Sequence, residues 1–186
     1  HDNCIGNKLI LAEYQFGGRG LESNSWESEK GMNLLFSIGF KPTGLLPEKQ
    51  FVLSKLTSIC LAKLLSNTID SSRISIKWPN DIYVDQKKVA GILITSSLLG
   101  SEIDYTIIGI GMNINQLEFS SQLQNATSMK MISNIEYDRD HLLNEFMQFF
   151  ASSWEQLQEV SNFELIDSEY LKLLYRKDIW ANYKLN

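Results

Sequence analysis

Apolar and polar positions follow two rhythms along this chain, and the changes between them mark out its elements. Residues 8–16, Lys-Leu-Ile-Leu-Ala-Glu-Tyr-Gln-Phe, are aliphatic and aromatic and are stopped by Gly17-Gly18, which predicts a strand. Residues 17–31 are rich in glycine, serine and mixed charge, with only Leu21 and Trp26 as large apolar anchors, and read as a loop. A second strand runs from Asn33 to Phe40. Pro47 then opens a long helix, because Phe51, Leu53, Leu56, Ile59, Cys60 and Leu64 recur at the three-to-four spacing of one buried face. Ile74–Trp78 predicts a short strand ended by Pro79, and Ile82–Val84 and Val89–Thr95 flank Asp85-Gln86-Lys87-Lys88 as a hairpin. Ile103–Ile110 is a further strand leading into Gly111-Met112-Asn113, and residues 116–134 are polar and irregular. From Asp138 the spacing of Leu142, Leu143, Phe146, Phe149, Phe150, Trp154 and Leu157 predicts an amphipathic helix, followed by another over Glu164–Tyr175. Strands in hairpin-like groups with long helices between and after them predict an α+β fold, a mixed sheet with helices packed on one face.

Composition narrows the functional classes. A chain of 186 residues with 44% hydrophobic and 21% charged residues predicts one globular domain. No apolar run approaches the roughly 20 residues of a membrane span, and the start lacks the charged-then-apolar pattern of a signal peptide. A net charge of −5 argues against a general electrostatic hold on nucleic acid and leaves small ligands and protein partners open. Cys4 and Cys60 are widely separated and the only histidines are His1 and His141, so a zinc cluster is not expected. Two reduced thiols fit a cytoplasmic protein.

Three segments are poor choices for a core and good ones for holding a ligand. Gln15-Phe-Gly-Gly-Arg-Gly20 places three glycines around an arginine at a strand end, where amides and a guanidinium fork suit a carboxylate or phosphate. Taken alone, it reads equally as a flexible surface loop. Lys77-Trp-Pro-Asn-Asp81 continues to Lys88-Val-Ala-Gly-Ile-Leu93. Here Lys77 ends an apolar strand, and Gly91 sits in the middle of another, where glycine is costly unless something must approach closely. An ordinary turn with a solvated lysine is the plain alternative. Gly109-Ile-Gly-Met-Asn113-Ile-Asn115 again removes side chains at a strand end and offers the amide of Asn113.

In this order and spacing, Gln-x-x-Gly-Arg-Gly, a downstream Trp, Lys-Trp-Pro-Asn-Asp, Lys-x-Ala-Gly-Ile-Leu and Gly-x-Gly-x-Asn resemble the catalytic domain of biotin protein ligase, from about residue 8 to residue 116. The resemblance implies the fold of biotin and lipoate ligases and of class II aminoacyl-tRNA synthetase catalytic domains. It implies activation of biotin by ATP to biotinyl-5′-adenylate, then transfer to a lysine of a biotin carboxyl carrier protein domain. Lys77 and Arg19 would be the catalytic cations set between the biotin carboxylate and the α-phosphate. Gln15, Gly18, Arg19, Lys77 and Gly91 would hold biotin, and Gly20, Trp26, Asn80, Gly111 and Asn113 the nucleotide. Mg²⁺ would accompany ATP, with no protein ligand assigned. The expected partners are biotin, ATP and the carrier domain, with a homodimer open and neither nucleic acid nor membrane involved. The whole of 1–186 is expected to be one catalytic domain with a core over about 1–178, lacking the earlier Ser-Thr-Asn strand and the small C-terminal β-barrel of relatives.

The chain also departs from the family pattern. Leu21-Glu22-Ser23-Asn24-Ser25 stands where many relatives carry further basic residues, and Thr95-Ser96 where an acidic residue is common. Two other readings stay open at this level: a lipoate or octanoate ligase or transferase, and a ligand-binding domain without turnover.

Overall fold

The computed structural model describes residues 7–21, 25–160 and 163–180. The reading of Cys4 and of Glu22–Asn24 lies outside them. Six strands make one sheet: β1 (Lys8–Ala12), β4 (Leu34–Phe40), β5 (Ile74–Lys77), β6 (Asp81–Val84), β7 (Lys87–Leu99) and β8 (Glu102–Met112), in the order β1-β4-β8-β7-β6-β5. Every pairing between these strands is antiparallel. Parallel pairing enters only through isolated bridges, Ile76 with Leu174 and Lys88 with Ala126. Two further short strands, β2 (Gly18–Arg19) and β3 (Ser25–Trp26), form a separate ribbon inside the region predicted as loop.

Register decides what each face carries, because residues directly opposite in a ladder point to the same side. One set of rows reads Ile82, Ala90, Met112, Leu34; then Ile92, Ile110, Phe36; then Ile94, Ile108, Ile38. These are the aliphatic and aromatic residues of the core, nearly all fully buried. α1 (Phe51–Ser66) and α3 (Arg139–Val160) cover this face. Phe146 of α3 meets Phe36 edge-on at 5.3 Å, and Phe40 meets Trp154 at 5.3 Å and Phe150 at 6.1 Å. Burying an aromatic or aliphatic side chain of this size is worth about 1.5–3 kcal/mol each, so this face holds the fold together.

The rows of the other face read Gly91, Gly111, Leu35; then Leu93, Gly109, Ser37; then Thr95, Ile107, Gly39. Glycine, serine and threonine take six of these nine positions, and no long helix among the described residues lies on them. α+β architecture with helices on one face is what the sequence pattern predicts.

Element boundaries differ from expectation where backbone hydrogen bonds are taken up elsewhere. The strand predicted to Phe16 ends at Ala12, because the Glu13 carbonyl accepts from Gly31. The helix predicted through Tyr175 stops at Lys172 as α4 (Phe163–Lys172). Beyond it the chain lies along β5: the Ile76 amide donates to Leu173 and the Tyr175 amide donates to Ile76. The polar stretch 116–134 holds one short helix, α2 (Met129–Ser133), capped by the Ser128 hydroxyl. Between β6 and β7 the turn is only Asp85-Gln86, with Asp85 at φ 56° and its carboxylate gripped by Arg73 at 2.7 Å, which holds that carboxyl below its usual range. Lys87 and Lys88, predicted as part of the turn, belong to β7.

Candidate active site

A cavity of about 800 Å³ opens on the uncovered face of the sheet. Its floor is glycine for a steric reason. A Cβ at Gly111 would lie 2.5 Å from Cε2 of Trp26, and one at Gly91 would lie 3.2 Å from its Cζ3. The indole therefore rests on a floor made by two glycines on neighbouring strands. The β2–β3 ribbon brings it there: Gly18 pairs with Trp26 so closely that a Cβ at 18 would meet the Trp26 carbonyl oxygen at 2.5 Å. Trp26 Nε1 is buried without a hydrogen-bond partner. A buried donor left unpaired costs about 1–3 kcal/mol, so this N–H suits an acceptor brought by a ligand.

One of the two cations that line the cavity is Lys88. Its ammonium lies 2.7 Å from Asp81 Oδ1 and 5.6 Å from the centroid of the Trp26 ring, and a Cβ at Gly91 would lie 3.3 Å from its Nζ. A β-bulge puts it there. Ile82 pairs with Ala90 but Tyr83 pairs with Lys88, so Val89 is an extra residue in β7. By strict alternation from Ala90, Lys88 would point to the helix face; the bulge turns it to the cavity face. Both of its backbone groups are then fastened, the amide donating to Asn125 at 2.6 Å and the carbonyl accepting from Thr127 at 2.9 Å.

The structure brings seven of the sequence-predicted site residues to this one cavity: Gln15, Arg19, Gly20, Trp26, Asn80, Gly91 and Gly111. Asn80 is anchored by a reciprocal pair, its Nδ2 donating to the Ile92 carbonyl at 2.7 Å and its carbonyl accepting from the Ile92 amide at 2.9 Å. Three others do not line it. Gly18 makes room for Trp26 instead. Asn113 is buried behind the floor, where its Nδ2 donates to the Thr127 carbonyl and its amide to Val89. Lys77 is exposed at the end of β5, its Nζ 3.3 Å from Tyr83 Oη and 5.2 Å from the centre of that ring. The bridging role expected of Lys77 is thus not supported by its position. Sequence reading missed Lys88 because Asp85-Gln86-Lys87-Lys88 has the composition of a turn. The available signal was the continuous run Lys88-Val-Ala-Gly-Ile-Leu93. Asp81, Leu21 and Ser37 also line the cavity and were not named from sequence as site residues.

Its charged lining is two cations, Arg19 and Lys88, and one carboxylate, Asp81, a surplus of one positive charge. Among the described residues no three histidine, cysteine or acidic side chains cluster to hold a metal ion, so the residues present do not make a metal site of their own. No helix among them is long and apolar enough to cross a membrane.

Comparison with known proteins gives the family to which this sequence and fold belong. The model of the biotin/lipoate A/B protein ligase family matches residues 3–113, more than half of the chain. The bifunctional ligase/repressor BirA of Bacillus spizizenii is 30% identical over 157 residues, covering 83% of this chain and 48% of the relative. The biotin–[acetyl-CoA-carboxylase] ligase of Paracoccus denitrificans is 35% identical over 111 residues, covering 59% of this chain and 45% of the relative. The chain thus spans about half the length of these curated relatives. Among solved structures, biotin protein ligase from Leishmania major in complex with biotinyl-5-AMP aligns with a TM-score of 0.76 at 25% identity, covering 97% of this chain and 75% of that one. The Aquifex aeolicus enzyme in complex with biotin and ATP aligns with a TM-score of 0.72 at 28% identity, covering 89% of this chain and 68% of that one. The chain belongs to the biotin/lipoate A/B protein ligase family.

Proposed function

We propose that this chain is the catalytic domain of a biotin–protein ligase, which joins biotin to AMP and then passes the biotinyl group to a lysine of a carrier protein. The observation that carries the reading is the single cavity in which Lys88, Arg19, Gln15, Trp26 and the Gly91–Gly111 floor meet. Its volume of about 800 Å³ suits a ligand as large as a biotinyl adenylate.

In the first step a biotin carboxylate oxygen attacks the α-phosphorus of ATP, the bond to the β-phosphate oxygen breaks, and pyrophosphate leaves. Two anions must meet, and unit charges about 4 Å apart repel by about 4 kcal/mol near a protein surface. Lys88 and Arg19 stand where they offset that repulsion and the charge that grows in the transition state. Asp81 holds the Lys88 ammonium in place, and the Asn125 and Thr127 backbone bonds fix its strand. In the second step the neutral amine of the acceptor lysine attacks the acyl carbon, the bond to the phosphate oxygen breaks, AMP departs, and the proton the amine nitrogen loses passes to water. Lys88 and Arg19 face the same phosphate as it leaves. No acid or base group is required of the protein in the first step, so positioning and charge supply the rate. Mg²⁺ would enter with the nucleotide, since the described residues assemble no cluster for it. A supply of ATP fits the cytoplasmic setting that two reduced thiols predict.

Biotin-dependent ATP–pyrophosphate exchange tests the reading, run in parallel with lipoate and octanoate. Exchange with biotin alone is expected. Exchange that follows lipoate or octanoate instead would reassign the substrate, and exchange with none of the three would leave a binding domain without turnover.

A further inference from the structure

Lys77 is left over by this mechanism, and its surroundings are unusual for a surface lysine. In the β5–β6 ladder it stands directly opposite Asp81, which in turn stands opposite Gly91 of the cavity floor. Lys77 is therefore on the cavity's face of the sheet, one strand beyond the rim, about 5 Å from Asp81 between Cα atoms. Asp81 is the carboxylate it would be expected to pair with. That carboxylate is instead taken by Lys88 at 2.7 Å. Lys77 rests on Tyr83, which is buried and packs against Tyr175 at 5.4 Å. Arg176 lies over the other ring of this pair, with Cζ 5.1 Å from the Tyr175 centroid. Neither cation has a carboxylate partner among the described residues, in a chain whose net charge is −5. The Tyr83 hydroxyl accepts one N–H of the Lys77 ammonium and the ring holds it in position, which leaves its other donors for an anion.

We propose that Lys77 binds the β- and γ-phosphates of ATP and the pyrophosphate that leaves, with Arg176, on the other ring of the same aromatic pair, as a second cation. The inference rests on the adenylation reading above and extends it. In-line displacement sends pyrophosphate away from the biotin carboxylate, outward from the floor. The cavity lining has a surplus of only one positive charge, too little to balance a leaving group with several negative charges. Lys77 is the next residue on the Gly91–Asp81 row, and Arg176 lies over the other ring of the Tyr83–Tyr175 pair on which Lys77 rests. Lys77 is in this role a substrate-binding residue of the first step only, because the adenylate no longer carries the phosphates it touches.

Steady-state exchange and single-turnover transfer from preformed biotinyl-adenylate to a carrier domain separate the steps. For Lys77→Ala, the KM for ATP and for pyrophosphate is expected to rise about tenfold, as the loss of one charge-assisted contact implies. The KM for biotin and the transfer rate should stay within about twofold of wild type, which also shows that the variant is folded. Lys77→Arg should restore most of the pyrophosphate affinity. Unchanged KM values for ATP and pyrophosphate in exchange-active Lys77→Ala would overturn the inference alone. So would a rise confined to the KM for the carrier domain, which would make this strip a contact for an acidic acceptor surface. A wild-type protein without exchange would overturn the adenylation reading and this inference together.

Discussion

The two faces of the central sheet are made from the same strands and have opposite chemistry. On the helix side, β4, β7 and β8 present leucine, isoleucine and phenylalanine to α1 and α3. On the cavity side, the alternate residues of those strands include Gly39, Gly91, Gly109, Gly111, Ser37 and Thr95 among three aliphatic ones, Leu35, Leu93 and Ile107. A strand normally gains stability from both faces, and glycine in a strand interior gives some of it up. Here that loss clears space for Trp26 and a ligand. Stability is thus concentrated on one side and function on the other, so substitutions should separate cleanly by face.

The sharpest way to break the comparison is to exchange the effects. Phe146→Ala removes a fully buried ring that packs on Phe36 and Phe150, and is expected to cost about 3–5 kcal/mol in urea unfolding. Below the unfolding transition its KM values for biotin and ATP should be unaltered. Lys88→Ala should do the reverse. Biotin-dependent exchange should fall by about 10²–10³-fold, the range for removing one preorganised charge-stabilising group, while the urea midpoint stays close to wild type. A Lys88→Ala protein that keeps near-normal exchange would remove this lysine from the centre of the site.

The helix-covered face should also suppress the chemistry of what it buries. Cys60 is a fully buried thiol on α1, and burial pushes it up to about 11 from an ordinary 9.0. The folded state therefore keeps a proton that the unfolded chain loses. The sign follows: this stabilisation is complete below pH 9, and is lost as pH rises from about 9 to about 11. A shift of two pH units corresponds to about 2–3 kcal/mol. Unfolding measured across that range should show Cys60→Ala losing less stability with pH than wild type, since other groups titrate in both. Equal slopes would mean that the thiol is not sequestered.

How much of each face was legible in the sequence follows from the same contrast. The helix side obeys periodicity: Leu142, Phe146 and Phe150 of α3, and Leu53, Leu56 and Cys60 of α1, recur at helical spacing and all are buried. The cavity side is legible as motifs, because Gly91, Gly111, Arg19 and Trp26 are residue types that a core or a plain turn does not need. The lysine was not legible by pattern. Lys77 continues the alternation of Ile74 and Ile76 and draws attention, whereas Lys88 sits behind a bulge that shifts the alternation by one residue. A register shift of this kind depends on partners distant in sequence, here Tyr83 on β6 and Asn125 and Thr127 across from β7, so periodicity does not show it and only the motif run from Lys88 to Leu93 could have pointed to the lysine.

A finer test of the open face is to refill it. Gly111→Ala places a methyl group 2.5 Å from the Trp26 ring, and the backbone of β8, paired on both sides, cannot move away. The indole must shift instead. Nucleotide affinity is expected to fall about tenfold with little change in the urea midpoint, and Trp26→Ala in the same background should recover none of it. Normal ATP affinity in Gly111→Ala would show that the indole position does not matter to the nucleotide.

The smallest expected effect concerns Leu21, which follows Arg19-Gly20 in the loop over the cavity. Leu21 is 41% exposed and lines the main cavity. It also lines a smaller adjoining notch with Phe51, Pro79 and Leu93. A leucine there contributes apolar contact to the notch and no charge to the phosphate. An arginine at 21 would bring a third cation to a lining that now has Arg19 and Lys88 against Asp81. Partial exposure screens the gain, so a several-fold effect is expected rather than the full strength of a buried charged contact. Leu21→Arg should therefore slow the release of preformed biotinyl-adenylate by about three- to tenfold, measured as an off-rate after dilution. Two contributions oppose each other at this position, and the sign of the change says which dominates. Slower release means that charge at the phosphate limits retention of the intermediate. Faster release means that the leucine's place in the notch it lines with Phe51 and Pro79 holds the loop over the cavity, and that this chain retains its intermediate by apolar contact.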